Sequence, residues 1–239
     1  VQPGMVYISF PTEVGTIYTL GELRDISTVC RRHGLPLFVD GARLGYGLTS
    51  PACDIDLPTL ARLADAFYIG GTKVGALFGE AVVFKGEEMH RSFRYAIKQH
   101  GGMLAKGRLL GIQFEQLLKG GDDCLYFQLA RHANSMAAKI REAFESKGIK
   151  MWIDSPTNMQ FPLLTKEQQE ILGREFVPEF WGKYDNERDI VRFCTSWATK
   201  EENVDALRQN GVIIFLNRPI EQIVPTSDRP LSSSFLDVP

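Results

Sequence analysis

The sequence predicts an α/β protein built on a mostly parallel sheet, with a smaller α+β unit following it. Two observations lead there. Residues 5–10 (MVYISF), 35–39 (LPLFV), 66–69 (AFYI) and 80–84 (EAVVF) are short runs rich in β-branched and aromatic residues. Such compact apolar runs suit buried strands. Between them lie stretches whose apolar residues recur at helical spacing. Buried strands alternating with helices imply a parallel sheet covered on both faces.

Taken in order, the first strand is ended by the turn signals Pro11 and Gly15. Leu20, Leu23, Ile26 and Val29 form the apolar stripe of a helix over 20–32, and Gly34 is placed to cap it. Asp40-Gly41 closes the second strand. Residues 57–64 read as a short helix, and Gly70-Gly71 closes the third strand. From 87 to 118 the pattern is helical, with a break at Gly101-Gly102. Gly120-Gly121 marks a boundary, which gives a large domain over 1–119 and a small one over 120–210. In the small domain, 124–147 suits a long helix. Residues 150–153, 160–164 and 190–195 are candidate strands, and 166–176 and 200–208 candidate helices. The apolar 211–215 leads into a stretch rich in Pro and Ser, so 211–239 is expected to be an irregular tail.

Composition narrows the function. With 239 residues, 44% of them hydrophobic, the chain can bury a core. Its net charge of −2 offers neither nucleic acid nor an anionic membrane a partner. Cys30, Cys53, Cys124 and Cys194 are scattered, with no CxxC pair or Cys/His cluster. That spacing points away from a zinc site or a disulfide scaffold and toward a reducing, cytoplasmic setting. No apolar run reaches the ~18 residues of a membrane span. His33, His90 and His132 fall on helical stretches and are expected to be solvated.

Two segments carry the chemistry. In 35–46 (LPLFVDGARLGY) an acid, Asp40, ends a buried strand and Arg43 follows three residues later. In 66–73 (AFYIGGTK) a lysine, Lys73, follows another strand after two glycines and Thr72. Ligands in open α/β sheets gather at the carboxyl ends of the strands, where Asp40, Arg43 and Lys73 would meet. Such a set meets the needs of pyridoxal phosphate (PLP): a lysine for a Schiff base, a carboxylate to keep the pyridine nitrogen protonated, and an arginine for a carboxylate or ring oxygen. The Thr72 hydroxyl can serve the cofactor phosphate. Each element alone has a plainer reading, since a strand-end Asp often caps a turn and the glycines serve turns. Together, one βαβ unit apart, they favour the chemical reading.

The run 8–48 (ISFPTEVGTIYTLGELRDISTVCRRHGLPLFVDGARLGYGL) resembles the central region of low-specificity threonine aldolases, members of the β-eliminating lyase family of fold-type-I PLP enzymes. YIGGTK, IKQHGGMLAKGRLLGIQFEQL, SPTNMQFPLL and VRFCTSWATKEENVDAL resemble later segments in the same order. The resemblance implies that Lys73 carries the Schiff base and Asp40 partners the pyridinium. It implies that Arg43 and Arg192 bind the substrate carboxylate, and that Lys98 and Gln99 approach a neighbouring subunit's cofactor in a homo-oligomer. Without it, Arg192 reads as a surface strand residue paired with Glu201 or Asp189. The chain carries Pro11-Thr12-Glu13 where many threonine aldolases have Asn-Thr-His, so Glu13 stands where an imidazole would handle the substrate hydroxyl. Family members also have an N-terminal region with a glycine-rich phosphate loop and a ring-stacking side chain, neither of which this sequence contains. The expected activity is cleavage of L-threonine or L-allo-threonine to glycine and acetaldehyde. The alternatives are another PLP reaction, such as β-elimination or transamination, and a non-catalytic remnant.

Overall fold

The computed structural model describes residues 2–87 and 91–215, with side chains described through residue 209. His90 and residues 216–239 lie outside the described residues. The first half is a four-stranded sheet. Strands β1 (Val6–Ser9), β2 (Leu37–Asp40) and β3 (Ala66–Gly70) run parallel, and β4 (Glu80–Phe84) adds antiparallel to β3, in the order β1-β2-β3-β4.

Helix α1 (Leu20–Arg32) links β1 to β2. Thr19 and Glu22 form a reciprocal capping box that satisfies its first free N–H groups. Its Leu23, Ser27 and Cys30 face is buried. Between β2 and β3 lie the short α2 (Leu44–Leu48) and α3 (Leu57–Leu63). α2 has no periodicity long enough to announce it in the sequence. After β4 come α4 (Phe93–Gln99) and α5 (Arg108–Leu118), separated where Gly101-Gly102 predicts a break.

Among the described residues one face of the sheet is covered. Leu37, Val39, Phe67 and Ile69 point into a core completed by Leu23, Leu44 and Tyr126. On the other face Tyr7 is 54% exposed and Val82 43%, while Phe38 and Tyr68 are half-buried. Among the described residues the expectation of two covered faces is met on one side. Tyr7, Phe38 and Tyr68 count as apolar in these runs, but the strand's period of two sends them to the opposite side from Ile8, Val39 and Ile69.

The second half is organised by α6 (Leu125–Glu145). Tyr126, Ala130 and Ala133 on its first turns belong to the sheet's core, whereas Met136, Ile140 and Phe144 belong to a second one. That second core is closed by α7 (Lys166–Leu172), α8 (Glu201–Phe215) and an antiparallel sheet. In this sheet β5 (Met159–Gln160), β6 (Leu163–Thr165) and β7 (Glu179–Lys183) all pair with β8 (Arg188–Cys194).

Five expectations change here. Residues 150–153 make only an isolated bridge, Met151 to Pro162. The run 160–164 divides into β5 and β6 around Phe161 and Pro162, because proline cannot donate to the ladder. β7 was not expected, since EFWGK shows no clean alternation. α8 continues to Phe215, so the first five residues of the expected irregular tail extend the helix. His132 is engaged as well, with its Nε2 2.7 Å from the Thr199 carbonyl. No helix among the described residues is long and apolar enough to cross a membrane.

Candidate active site

The two segments singled out in the sequence meet through their backbones. β2 and β3 are hydrogen-bonded neighbours, so Asp40 and the Gly70-Gly71-Thr72-Lys73 turn emerge side by side at the carboxyl edge. The Gly70 N–H donates to the Gly41 carbonyl at 2.9 Å. Only glycine permits this approach: a Cβ on Gly41 would collide with the Tyr68 carbonyl oxygen, and one on Gly70 with that of Ala42. Both glycines therefore serve proximity between the segments.

Two tyrosines fix the lysine turn from below. The buried Tyr46 hydroxyl donates to the Lys73 carbonyl. The Tyr126 hydroxyl accepts from the Gly45 N–H at 3.1 Å and donates to the Gly70 carbonyl at 3.0 Å, tying α6 to both segments. Tyr126→Phe would leave both backbone groups buried without a partner. We expect a loss of about 1–3 kcal/mol, read as a lower denaturant midpoint with an unchanged slope. A midpoint equal to the parent's would show that these bonds contribute nothing net.

Lys73 itself is exposed, in a 3-10 turn spanning Thr72–Val74. The adjoining Gly71 N–H donates to Glu80 Oε2 at 2.9 Å. Burial pushes the Glu80 carboxyl up, against the opposing pull of the Gly71 N–H and of Lys73. Asp40 goes the other way. Burial alone would raise it, but hydrogen bonds with Tyr68, Tyr7 and the Ala42 N–H, together with the Lys73 charge, hold it below the ordinary aspartate value. The Ala42 N–H lies 3.0 Å from Oδ1, and the Tyr7 hydroxyl donates to Oδ2.

Arg43 stands at the N-terminus of α2, and its Nε is buried with no hydrogen-bond partner among the described residues. An orphaned guanidinium N–H is a donor waiting for an anion. Arg192, on β8, is occupied: it donates to Glu179 Oε2, with Nε at 3.0 Å, and lies 4.9 Å above the Trp181 ring. Its acid is thus Glu179, directly opposite on β7. Glu201 instead pairs with Lys139, and Asp189 accepts from Gln169. Burial pushes the Cys194 thiol up, and Arg192 and Arg43 each pull it down.

Thr72 is exposed beside Lys73. Glu13 is exposed in the loop that follows β1, and makes no hydrogen bond or ion pair among the described residues. That loop is pinned by the Gly15 N–H to the Thr12 carbonyl at 2.9 Å and by Thr157 Oγ1 to the Gly15 carbonyl at 3.1 Å. Lys98 and Gln99 end α4 and are exposed. The sequence reading missed Tyr7, Tyr46, Tyr68, Glu80, Tyr126 and Cys194. For Tyr7 and Tyr68 a signal existed, because strand alternation puts them on the Asp40 side of the sheet.

Fold and site together define a class: an α/β scaffold with an aspartate ending one parallel strand and a lysine in the turn after the adjacent one. The chain belongs to the beta-eliminating lyase family, whose model matches residues 1–169. It is 31% identical over 210 residues to the low specificity L-threonine aldolase of Pseudomonas sp. (strain NCIMB 10558), covering 86% of this chain and 58% of that protein. It is 30% identical over 213 residues to the same-named protein of Pseudomonas aeruginosa, covering 87% and 59%. The solved Leishmania major threonine aldolase matches with a TM-score of 0.85 at 44% identity, over 90% of this chain and 62% of that one. The chain therefore spans less than two thirds of the length of each of these relatives.

Proposed function

We propose that this protein is a PLP-dependent carbon–carbon lyase that cleaves β-hydroxy-amino acids such as L-threonine or L-allo-threonine to glycine and acetaldehyde. The observation that carries the reading is Asp40, held as a carboxylate, on a segment whose Gly41 carbonyl accepts from the Gly70 N–H of the segment that carries Lys73. The relatives' names support the substrate class.

The residues present fit the cofactor. Asp40 offers a charged acceptor for a pyridine N–H, Lys73 an exposed amine, Thr72 a hydroxyl for the phosphate, and Arg43 an unpaired donor. When bound, PLP supplies an aldehyde for the lysine and a ring that takes up the electrons of the breaking Cα–Cβ bond. The chain's own residues do the rest. Asp40 holds the proton on the ring nitrogen. Arg43 and Arg192 fix the substrate carboxylate, which orients the bond to be broken. Glu13 accepts the β-hydroxyl proton. Homo-oligomeric assembly and a cytoplasmic setting belong to the same reading. Exposed Leu77, Phe78, Leu109 and Ile112 support the first, and four unpaired cysteines the second.

Product analysis tests the reaction. L-Threonine should give equimolar glycine and acetaldehyde. Ammonia and 2-oxobutanoate would instead identify β-elimination, the reading that a carboxylate at Glu13 in place of an imidazole favours next.

Arg192 gives a sharper test. The substrate must take it from Glu179, so Glu179→Gln should lower KM. Arg192→Lys cannot form a bidentate contact and should raise KM by about 10- to 100-fold, the scale of one or two charged hydrogen bonds. The spectrum of bound PLP should be unchanged. If that spectrum collapses in Arg192→Lys, the arginine serves the cofactor or the fold instead.

A further inference from the structure

The open face of the sheet carries an arrangement that the reaction above does not use. Tyr7, Phe38 and Tyr68 occupy neighbouring strands on this face. The Tyr7 and Phe38 rings stack with centroids 5.4 Å apart, and Phe38 and Tyr68 follow at 6.0 Å. Asp40 is two residues beyond Phe38 on β2, so it points to the same side. The register pairs Ser9 with Asp40 on one flank, and Val39 with Phe67 on the other, which puts Tyr68 level with Asp40. The carboxylate thus sits between two phenols, one from each neighbouring strand.

We propose that Tyr7 and Tyr68 are positioning residues for Asp40, a pair of phenol donors that hold its carboxylate charged and aimed along the sheet's open face. This rests on the reading of Asp40 as the partner of the cofactor's ring nitrogen. An ionised carboxylate on a half-buried site needs donors, and each of its oxygens can accept twice. Oδ1 takes the Ala42 N–H and Oδ2 the Tyr7 hydroxyl, which leaves lone pairs for a pyridinium N–H. Tyr68 acts on the same carboxylate and on the Tyr7 hydroxyl, forming one network. Both phenols stay protonated. Tyr7 is raised first by its bond to Asp40, and Tyr68 first by burial. The remaining charges in reach are Lys73, which favours the carboxylate, and Glu80, which is coupled to it unfavourably.

The test uses Tyr7→Phe, Tyr68→Phe and the double variant. Each keeps its ring in the stack and loses only the hydroxyl, so circular dichroism should be unchanged and the unfolding midpoint should fall only by what the lost hydrogen bond to the carboxylate contributes. The Asp40 carboxyl carbon is followed by carbon-13 NMR in protein without cofactor, with Asp40→Asn providing the assignment. Its titration midpoint should move up in each single variant, and furthest in the double. Tyr184→Phe, away from this network, should leave it in place. In parallel, PLP affinity read from visible absorbance should weaken about tenfold or more in the double variant, the scale of a hydrogen bond to a charged group. An Asp40 midpoint unmoved in the double variant would overturn the proposal whatever the PLP titration gives. Failure of the parent to bind PLP would strike the cofactor reading instead, while the NMR result still decides the role of the tyrosines.

Discussion

Lys73→Ala should abolish turnover while leaving the fold intact. The side chain is exposed, and the bond from the Tyr46 hydroxyl uses the residue's backbone carbonyl. Alanine keeps that carbonyl and the 3-10 turn. The loss should be on the order of 10³-fold or more, as for the removal of a residue that bonds covalently during the reaction. Added PLP should lose its protein-bound visible band and be removable by gel filtration. A variant that retains activity within tenfold of the parent would remove Lys73 from the chemistry.

Asp40→Asn should be nearly as damaging, for a different reason. The amide oxygen still accepts the Ala42 N–H, and the NH2 in place of Oδ2 can donate to the tyrosine oxygen once that hydroxyl turns, so the local structure should persist. It cannot hold a proton on a ring nitrogen by charge. We expect kcat to fall about 10²- to 10³-fold, the scale of losing one preorganised electrostatic contact, with the PLP band shifted and still present. The pH dependence follows from the sign of the shift. A carboxyl held below its ordinary value stabilises the fold fully above the unfolded-state pKa, and that contribution is lost as pH falls through the folded value. The acid limb of parent stability should therefore flatten in Asp40→Asn. Near-normal turnover in this variant would make Asp40 a turn residue.

The parts of this fold set by local pattern were legible in the sequence. The four strands of the first sheet, α1, the long α6 and the two chemical segments follow from apolar runs, helical spacing and glycine punctuation. What escaped depends on partners far along the chain. β7 exists because β8 pairs with it, and nothing within EFWGK announces that edge. Local sequence offers Arg192 the nearby acids Glu201 and Asp189, yet cross-strand pairing sets it opposite Glu179. His132 bonds a carbonyl 67 residues away. Periodicity says which way a side chain faces and not what it will meet. The same limit hid the phenols around Asp40, whose direction was readable but whose convergence required the register of three strands.

The central claim is that Lys73 is the residue that bonds PLP. Borohydride reduction of the protein with added PLP, followed by peptide mapping, tests it most directly. The account predicts one stoichiometric pyridoxyl label, on the peptide carrying Gly70-Gly71-Thr72-Lys73, and its loss in Lys73→Ala. A label on any other lysine, with Lys73 unmodified, would contradict it.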